Sequence, residues 1–501
     1  MSARHLLSAL LVAATPLQAQ NGQTVDWREF DAYVAKAARD WNVPGLAIAV
    51  VHRGQLLFAK GYGVREIGTA EAVDTQTIFA IASTTKAITA AALGMLVDEG
   101  KVRWDDPVTK FVPTFQMFDP WATRETTVRD LITHRAGLPN ADYLWTGGDL
   151  SRAEVIRRIR FIQPSYSFRG GYVYHNVMYT VAGAVIEAAS GFSWDDFVRT
   201  RIFQPLGMTR SVTTLAEALT KANRAMPHGS RGDTLKVSGN SLADAIGPAG
   251  SVWSSVADMS KWVRFLLDTG RVNGKALLTP RTWAELFRPV TIMPPWNENS
   301  APQLRLARPH FRTYALGWFQ QDYLGRQVDF HTGSLTGMIA INGLIREEGI
   351  GVYILSNTST EIRHPLMFRV FDHLLGAPPR DWSGEMLALQ RADDARDEAN
   401  AARAGAARVE GTSPTLPLER YAGVFTDSLY PTVTVTHENG RLRYRFSSTQ
   451  AGTLEHWQYD TFRVLWDDWW RGRTTVTFGV GANGSADRLD VAGFELRRAR
   501  R

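Results

Sequence analysis

The 501-residue chain has no cysteine, which excludes a disulfide framework, a thiolate-ligated zinc, a catalytic thiol and a lipid anchor on an N-terminal cysteine. A protein of this length then rests on its apolar core alone. Charge of one sign is also scarcely concentrated before the last five residues. Basic residues outnumber acidic ones by 56 to 50, but they are mostly arginines spread along the chain. The one dense run, Arg497, Arg498, Arg500 and Arg501, reads as a frayed terminus. Without a basic helix or stripe, the footprint of a nucleic-acid binder is missing, and the net charge supplies at most a long-range attraction to anionic wall polymers. After the first twenty residues no apolar run reaches the about 20 residues of a membrane span. A Gly-x-Ser-x-Gly elbow, a His-Glu-x-x-His pair, a Walker loop and a dinucleotide glycine pattern are absent as well. The expectation is a site that uses no metal and no cofactor.

What is present begins with an address. Arg4 and His5 precede the apolar run from Leu6 to Ala14, and Ala19 closes a plausible cleavage point. This is the layout of a secretory signal over residues 1–19, and it implies a periplasmic or secreted protein. Gly45 to Val51 and Leu56 to Ala59, joined across Arg53-Gly54, read as a β-hairpin. Ser83 to Glu99 reads as a helix apolar on every side, hence buried, with Gly100 at its C-terminal cap. Ser255 to Asp258 has capping-box spacing ahead of a second helix. Strand-like runs return at Tyr314 to Gln320, Gln327 to His331, Met338 to Leu344 and Ile350 to Leu355. Their short spacing predicts an antiparallel sheet mixing the first strands with the last, an α+β layout. Pro378-Pro379 follows a helix from Glu361 to Leu375, and an Ala, Arg, Asp and Glu-rich stretch from Arg391 to Arg408 reads as a solvated helical linker. Beyond it, alternating runs around Asn439-Gly440, with Phe462 to Trp466 and Thr474 to Phe478, predict a small all-β sandwich or barrel. The resulting division is 25–378, a linker over 379–414, and a β module over 415–501.

Three short motifs carry chemistry. In Ser83-Thr84-Thr85-Lys86 the i, i+3 spacing brings the Lys86 amine to the Ser83 hydroxyl, which needs a partner to become a nucleophile. The helix start also offers orphan N–H groups where an oxyanion would form. In Tyr174-His175-Asn176, a phenol beside an ammonium ionises more easily, so Tyr174 is a candidate acid and base. Asn176 is a candidate partner for a substrate amide or for Lys86. In His331-Thr332-Gly333-Ser334, at the end of a strand, Gly333 permits close backbone approach and the Ser334 N–H is the second oxyanion donor. His331 and Thr332 are candidates to hold a substrate carboxylate or steer a proton. Each motif alone is common in unrelated chains. His134 reads as a structural hydrogen-bonding residue.

Taken in order, Ser-x-x-Lys, Tyr-x-Asn and a basic residue before Thr-Gly resemble the serine β-lactamase and penicillin-binding-protein superfamily, closest to its class C and D-aminopeptidase-like branch. Asn42-Val43-Pro44-Gly45, Leu131 to Pro139, Gly247-Pro248-Ala249-Gly250 and Leu355-Ser356-Asn357 also look like family segments, so the resemblance spans about residues 25 to 375. The last module looks like the lipocalin-like domain that often follows this unit. The resemblance implies a β-lactamase/transpeptidase-like fold with a helical subdomain. It also implies an acyl-enzyme on Ser83, assisted by Lys86 and Tyr174, with the oxyanion between the N–H groups of Ser83 and Ser334. His331 stands where typical β-lactamases carry lysine, and His-Thr-Gly is similar to some D-peptidases and esterases. That departure favours a D-amino-acid peptide or small ester over a β-lactam, with slow acylation by penicillins. The competing expectation is a catalytically slow protein that binds penicillin or wall peptides; a third gives the C-terminal module the main binding role. Substrate choice is expected to lie in segments 140–170 and 285–312, which include Trp145, Pro294-Pro295-Trp296 and Arg305.

Overall fold

A computed structural model describes residues 26–499, apart from residue 233. The expected secretory segment, Arg500 and Arg501 lie outside the described residues.

The alternation of large and small apolar residues explains the first half of the architecture. In strand β1 (Gly45–His52), Leu46, Ile48 and Val50 join a cluster with Phe30 and Val34 of helix α1 (Trp27–Asp40) and with Phe368 and Phe371 of helix α5 (Arg363–Leu375). Ala47, Ala49 and Val51 point the other way, into a cluster with Ile88 and Leu93 of helix α2 (Thr85–Asp98), Val181 and Val185 of helix α3 (Val177–Ser190) and Met259 and Val263 of helix α4 (Val256–Leu267). Successive strand residues face opposite sides, so a strand covered on both reads as one continuous apolar run. Every side chain from Thr85 to Leu96 is buried, as an all-round apolar helix requires. Each fully buried leucine or isoleucine there contributes about 1.5–3 kcal/mol through the water it no longer meets.

The sheet has eight strands, all pairs antiparallel, in the order β2-β1-β8-β7-β6-β5-β4-β3. Here β2 is Gln55–Gly63, β3 Thr291–Ile292, β4 Arg312–Tyr314, β5 Phe319–Tyr323, β6 Arg326–Leu335, β7 Met338–Ile345 and β8 Ile350–Ser356. The first two strands thus meet the last, as expected. Two expectations need correction. The run from Tyr314 to Gln320 is not one strand, because Gly317 adopts φ +83° and breaks it into β4 and β5. A Cβ there would come 3.0 Å from the Lys86 carbonyl oxygen, so the break lets the sheet approach α2. The His331 motif does not end a strand either: β6 stays paired to β7 through Leu335↔Met338.

The capping-box reading of Ser255 is half right. Its hydroxyl accepts from the Asp258 N–H at 3.3 Å, while the buried Asp258 carboxylate turns instead to the Arg210 and Ser211 N–H groups. Gly376 ends α5 at φ +67°, and helix α6 (Trp382–Ala406) follows, anchored at its start by the Trp382 indole on Asp372 at 2.7 Å.

The C-terminal module is a closed barrel of eight strands paired in sequence order, the up-and-down arrangement. Its strands are β9 (Gly423–Thr426), β10 (Val433–Glu438), β11 (Arg441–Arg445), β12 (Ala451–Gln458), β13 (Thr461–Trp466), β14 (Thr474–Val480), β15 (Ala486–Val491) and β16 (Phe494–Arg498). Phe425, Tyr444, Phe462, Phe478 and Leu489 fill its interior. The arginine run is therefore not wholly frayed. Arg497 and Arg498 pair with β9 and close the barrel, and the Arg498 guanidinium donates to the Ala422 and Arg420 carbonyls.

Candidate active site

Ser83 lies in a tight turn (Ala82–Thr84) that leads directly into α2. Two local features hold it there. Ala82 adopts φ +47°, a left-handed conformation that costs a non-glycine residue about 1 kcal/mol and clusters at functional turns. Gly333 on β6 presses against the same turn: a Cβ would sit 2.1 Å from the Ile81 carbonyl oxygen. The absence of that carbon lets the β6 backbone, and with it Ser334, run beside Ser83.

Lys86 is fully buried one turn further on. Its Nζ lies 3.0 Å from Ser83 Oγ, 2.6 Å from Asn176 Oδ1 and 2.8 Å from the Ala249 carbonyl oxygen. Two of these partners can only accept, so two N–H bonds are committed to them. The third direction of Nζ faces Ser83. In the neutral amine that direction is the lone pair, ready to take the serine proton; in the ammonium it is an N–H. Burial pushes Lys86 well below the usual lysine range, and the nearby Asp142 carboxylate partly opposes it.

Tyr174 closes the site from above, with Lys86 Nζ 4.9 Å from its ring centre. The expected acidification of this phenol by the ammonium is not found. Burial dominates and drives Tyr174 well above the usual phenol range, with a hydrogen bond to Ser83 opposing it. Of the pair, Lys86 is the group shifted toward a base and Tyr174 the one held as an acid. Behind them His134 packs 4.2 Å from the Tyr174 ring, and its Nδ1 accepts from the His175 N–H at 3.3 Å, a structural placement.

His331 does not face the cleft. It is buried, its Nδ1–H donates to the Thr332 carbonyl at 2.7 Å, and its Nε2 takes the Tyr314 hydroxyl at 3.0 Å. Burial first, and the Lys86 charge second, push it down to about 3, so it is neutral at physiological pH. The role of a cation for a substrate carboxylate is thus removed from this position.

The cleft in front of Ser83 has a volume of about 970 Å³, and Ser83, Tyr174, Asn176, Thr332 and Ser334 line it. Lys86, His331 and Gly333 stand behind that surface. Its far wall comes from the barrel: Ser448, Thr449 and Gln450 between β11 and β12, and Asp467, Asp468 and Trp470 between β13 and β14. The barrel is docked on the segment after Asp142. Gln450 donates to the Thr146 carbonyl at 3.0 Å, Thr449 to the Gly147 carbonyl at 3.3 Å, and the Ser448 N–H to Asp149 at 2.9 Å. Segment 140–170 contributes Asp142, Trp145 and Thr146 to the lining as expected, but no lining residue comes from 285–312. Trp296 instead bonds the Pro309 carbonyl, and Arg305 pairs with Asp393 on α6. Asp142, the Ala249 carbonyl and the barrel loops had no legible signal of function, although Ala249 falls within one of the family segments.

A serine hydroxyl, a buried amine and a phenol thus meet at the join of an antiparallel sheet and a helical region, the groups that acyl transfer by a serine requires. Residues 30–370 match the family described as Beta-lactamase, and the chain belongs to that family of serine hydrolases and penicillin-binding proteins. Residues 407–500 match a family described only as a domain of unknown function (DUF3471). Among curated relatives, an unguisins hydrolase (ungD) of Aspergillus violaceofuscus (strain CBS 115571) is 27% identical over 475 residues, covering 87% of this chain and 82% of the relative. Penicillin-binding protein 4 of Amycolatopsis lactamdurans is 29% identical over 338 residues, covering 66% and 84% respectively. The octameric penicillin-binding protein homologue from Pyrococcus abyssi superposes with a TM-score of 0.63 at 21% identity, over 94% of this chain and 99% of that one. That likeness establishes the shared fold, including the barrel.

Proposed function

We propose that the protein is an exported serine hydrolase that forms an acyl-enzyme on Ser83 and releases the acyl group to water, acting on an amide or ester. The observation that carries this reading is the Lys86 amine, buried, 3.0 Å from Ser83 Oγ and held by two carbonyl oxygens that leave its third direction on the nucleophile. In the proposed cycle Ser83 attacks the carbonyl carbon, Lys86 takes its proton, and the N–H groups of Ser83 and Ser334 hold the oxyanion. Tyr174 then hands a proton to the leaving group and recovers one from the Lys86 ammonium; water next attacks the acyl carbonyl, gives a proton to Lys86 and displaces Ser83 Oγ, which takes that proton back. The secretory layout of residues 1–19 supports the export part of this reading.

D-amino-acid peptides and small esters fit better than β-lactams, because no cation stands at His331 for a ring carboxylate. The relative named as an unguisins hydrolase acts on a substrate of that name; for this chain the shared architecture supports only the amide-or-ester class. Purified protein and Ser83→Ala would be given a D-alanyl anilide, a short-chain nitrophenyl ester and a fluorescent penicillin. Turnover of the first two by wild type alone, with slow labelling by the third, is expected. Turnover that survives Ser83→Ala overturns the reading.

A further inference from the structure

The amide of Asn176 is held from the side opposite Lys86 by a carboxylate. Asp142 Oδ1 accepts from Asn176 Nδ2 and from the Trp145 indole N–H, both at 2.8 Å. Its Oδ2 accepts from Asn140 Nδ2 at 3.1 Å, and its own N–H donates to Asn140 Oδ1 at 3.0 Å. A carboxylate only accepts, so Asn176 must turn its amino group toward Asp142 and its oxygen toward Lys86. A primary amide has nearly the same shape either way round, and only its partners decide which end faces which. With the amide reversed, an N–H would confront the Nζ donors and one of the two acceptors that orient Lys86 would be gone.

We propose that Asp142 is a positioning residue of the acyl-transfer site: through Asn176 it keeps an oxygen on Lys86 and so keeps the third direction of Nζ on Ser83. The assignment rests on the roles proposed for Ser83 and Lys86. Asp142 acts on the lysine through space as well. The groups around Nζ are the Tyr174 and Tyr179 rings at 4.9 and 5.2 Å, Ser83 and Asn176, and the imidazoles of His134, His175 and His331, which burial keeps uncharged. Asp142 is the carboxylate whose field favours the ammonium.

Asp142→Asn supplies the test, since it keeps the shape but adds a donor that allows the Asn176 amide to turn over. With a nitrophenyl ester and the full chain, kcat is expected to fall about tenfold or more, as small misalignments of catalytic groups do. KM should stay within about threefold, and the acid limb of kcat/KM should move to lower pH by about half a unit or more once the carboxylate field is gone. In an Asn176→Leu background the same change should lower the plateau kcat no further, because the positioning acts through that amide, while the through-space shift of the acid limb persists. Asp142→Glu, still acceptor-only, should recover part of the rate. A wild-type kcat and pH profile in Asp142→Asn, or losses that add in the double variant, overturn the proposal. If Asp142→Asn does not fold, Asp142→Ala, which removes the acceptor on Asn176 Nδ2 outright, takes its place, and an unchanged kcat there overturns it equally. Should Ser83→Ala stay active, the functional reading fails first; a silent Ser83→Ala with an unaffected Asp142→Asn removes only this proposal.

Discussion

Lys86 Nζ and Ser83 Oγ lie 3.0 Å apart, and the two remaining contacts of Nζ are carbonyl oxygens at 2.6 and 2.8 Å. This makes the amine's reactive direction a matter of geometry rather than of chance rotation. Replacing it by an apolar chain of similar length, Lys86→Met, is expected to lower acylation by about 10²–10⁴-fold, the usual weight of a positioned base. Thermal stability should be retained or should rise, because a buried amine is costly to desolvate. Mass spectrometry of the acyl-enzyme together with a melting curve reads both quantities.

Burial also sets the pH behaviour. Lys86 sits well below its ordinary value and must be neutral to act as base, so kcat/KM is expected to rise with pH to a plateau whose midpoint lies below 10.5. Tyr174 is held well above the phenol range and contributes no loss on the alkaline side below about pH 10. A profile falling through pH 6 to 9 would contradict both assignments.

Stability has its own pH dependence from the buried imidazoles. His175 and His331 are pushed down to about 3 and His364 to about 4, each chiefly by burial, and His134 lies well below the ordinary value of 6.5. The unfolded chain therefore binds protons that the native one refuses. The associated stability is present above about pH 6.5 and is lost as the pH falls toward 4. Urea midpoints should drop across that range. His364→Leu, which does not line the cleft, should flatten the slope by about one proton, or about 1.4 kcal/mol per pH unit.

Much of this was legible in the sequence, for identifiable reasons. The all-apolar run after Ser83, the alternation around Asn439-Gly440 and the three motifs in order are local signals, and local periodicity survives into the fold. What escaped reading depends on contacts between distant segments. Gly317 looks like a strand residue until the approach of α2 is known, and His331 looks like a cation for substrate until Tyr314 and Thr332 take both its nitrogens. Asp142 is 34 residues from Asn176, in a segment with no period, so only the folded chain shows the pair.

Gly333 has no tolerance for a side chain. An alanine methyl would lie 2.1 Å from the Ile81 carbonyl oxygen and 3.2 Å from the Ala82 Cβ, and both neighbours are main chain or packed against it. Either β6 or the Ser83 turn must move, and either motion separates the Ser83 and Ser334 N–H groups. Gly333→Ala is expected to reduce kcat by about 10²-fold or more, the weight of one lost oxyanion donor, and to cost about 1–3 kcal/mol of stability. A variant with wild-type kcat would show that the two N–H groups do not share an oxyanion.

The barrel is the last element whose part in the site can be tested from geometry. Gly147 meets it edge-on: a Cβ there would stand 2.6 Å from Ser447 Cβ, and the Gly147 carbonyl takes the Thr449 hydroxyl. Gly147→Val should therefore push the β11–β12 loop off segment 140–150 while leaving the core of each part untouched. Because Trp470 and Gln450 form the far wall of the cleft, loosening that seat should raise KM for a long peptide about tenfold or more. KM for a small nitrophenyl ester, which in the proposed cycle needs little beyond Ser83 and the N–H groups of Ser83 and Ser334, should change less than about threefold. Equal KM changes for both substrates would mean that the barrel wall takes no part in holding the substrate.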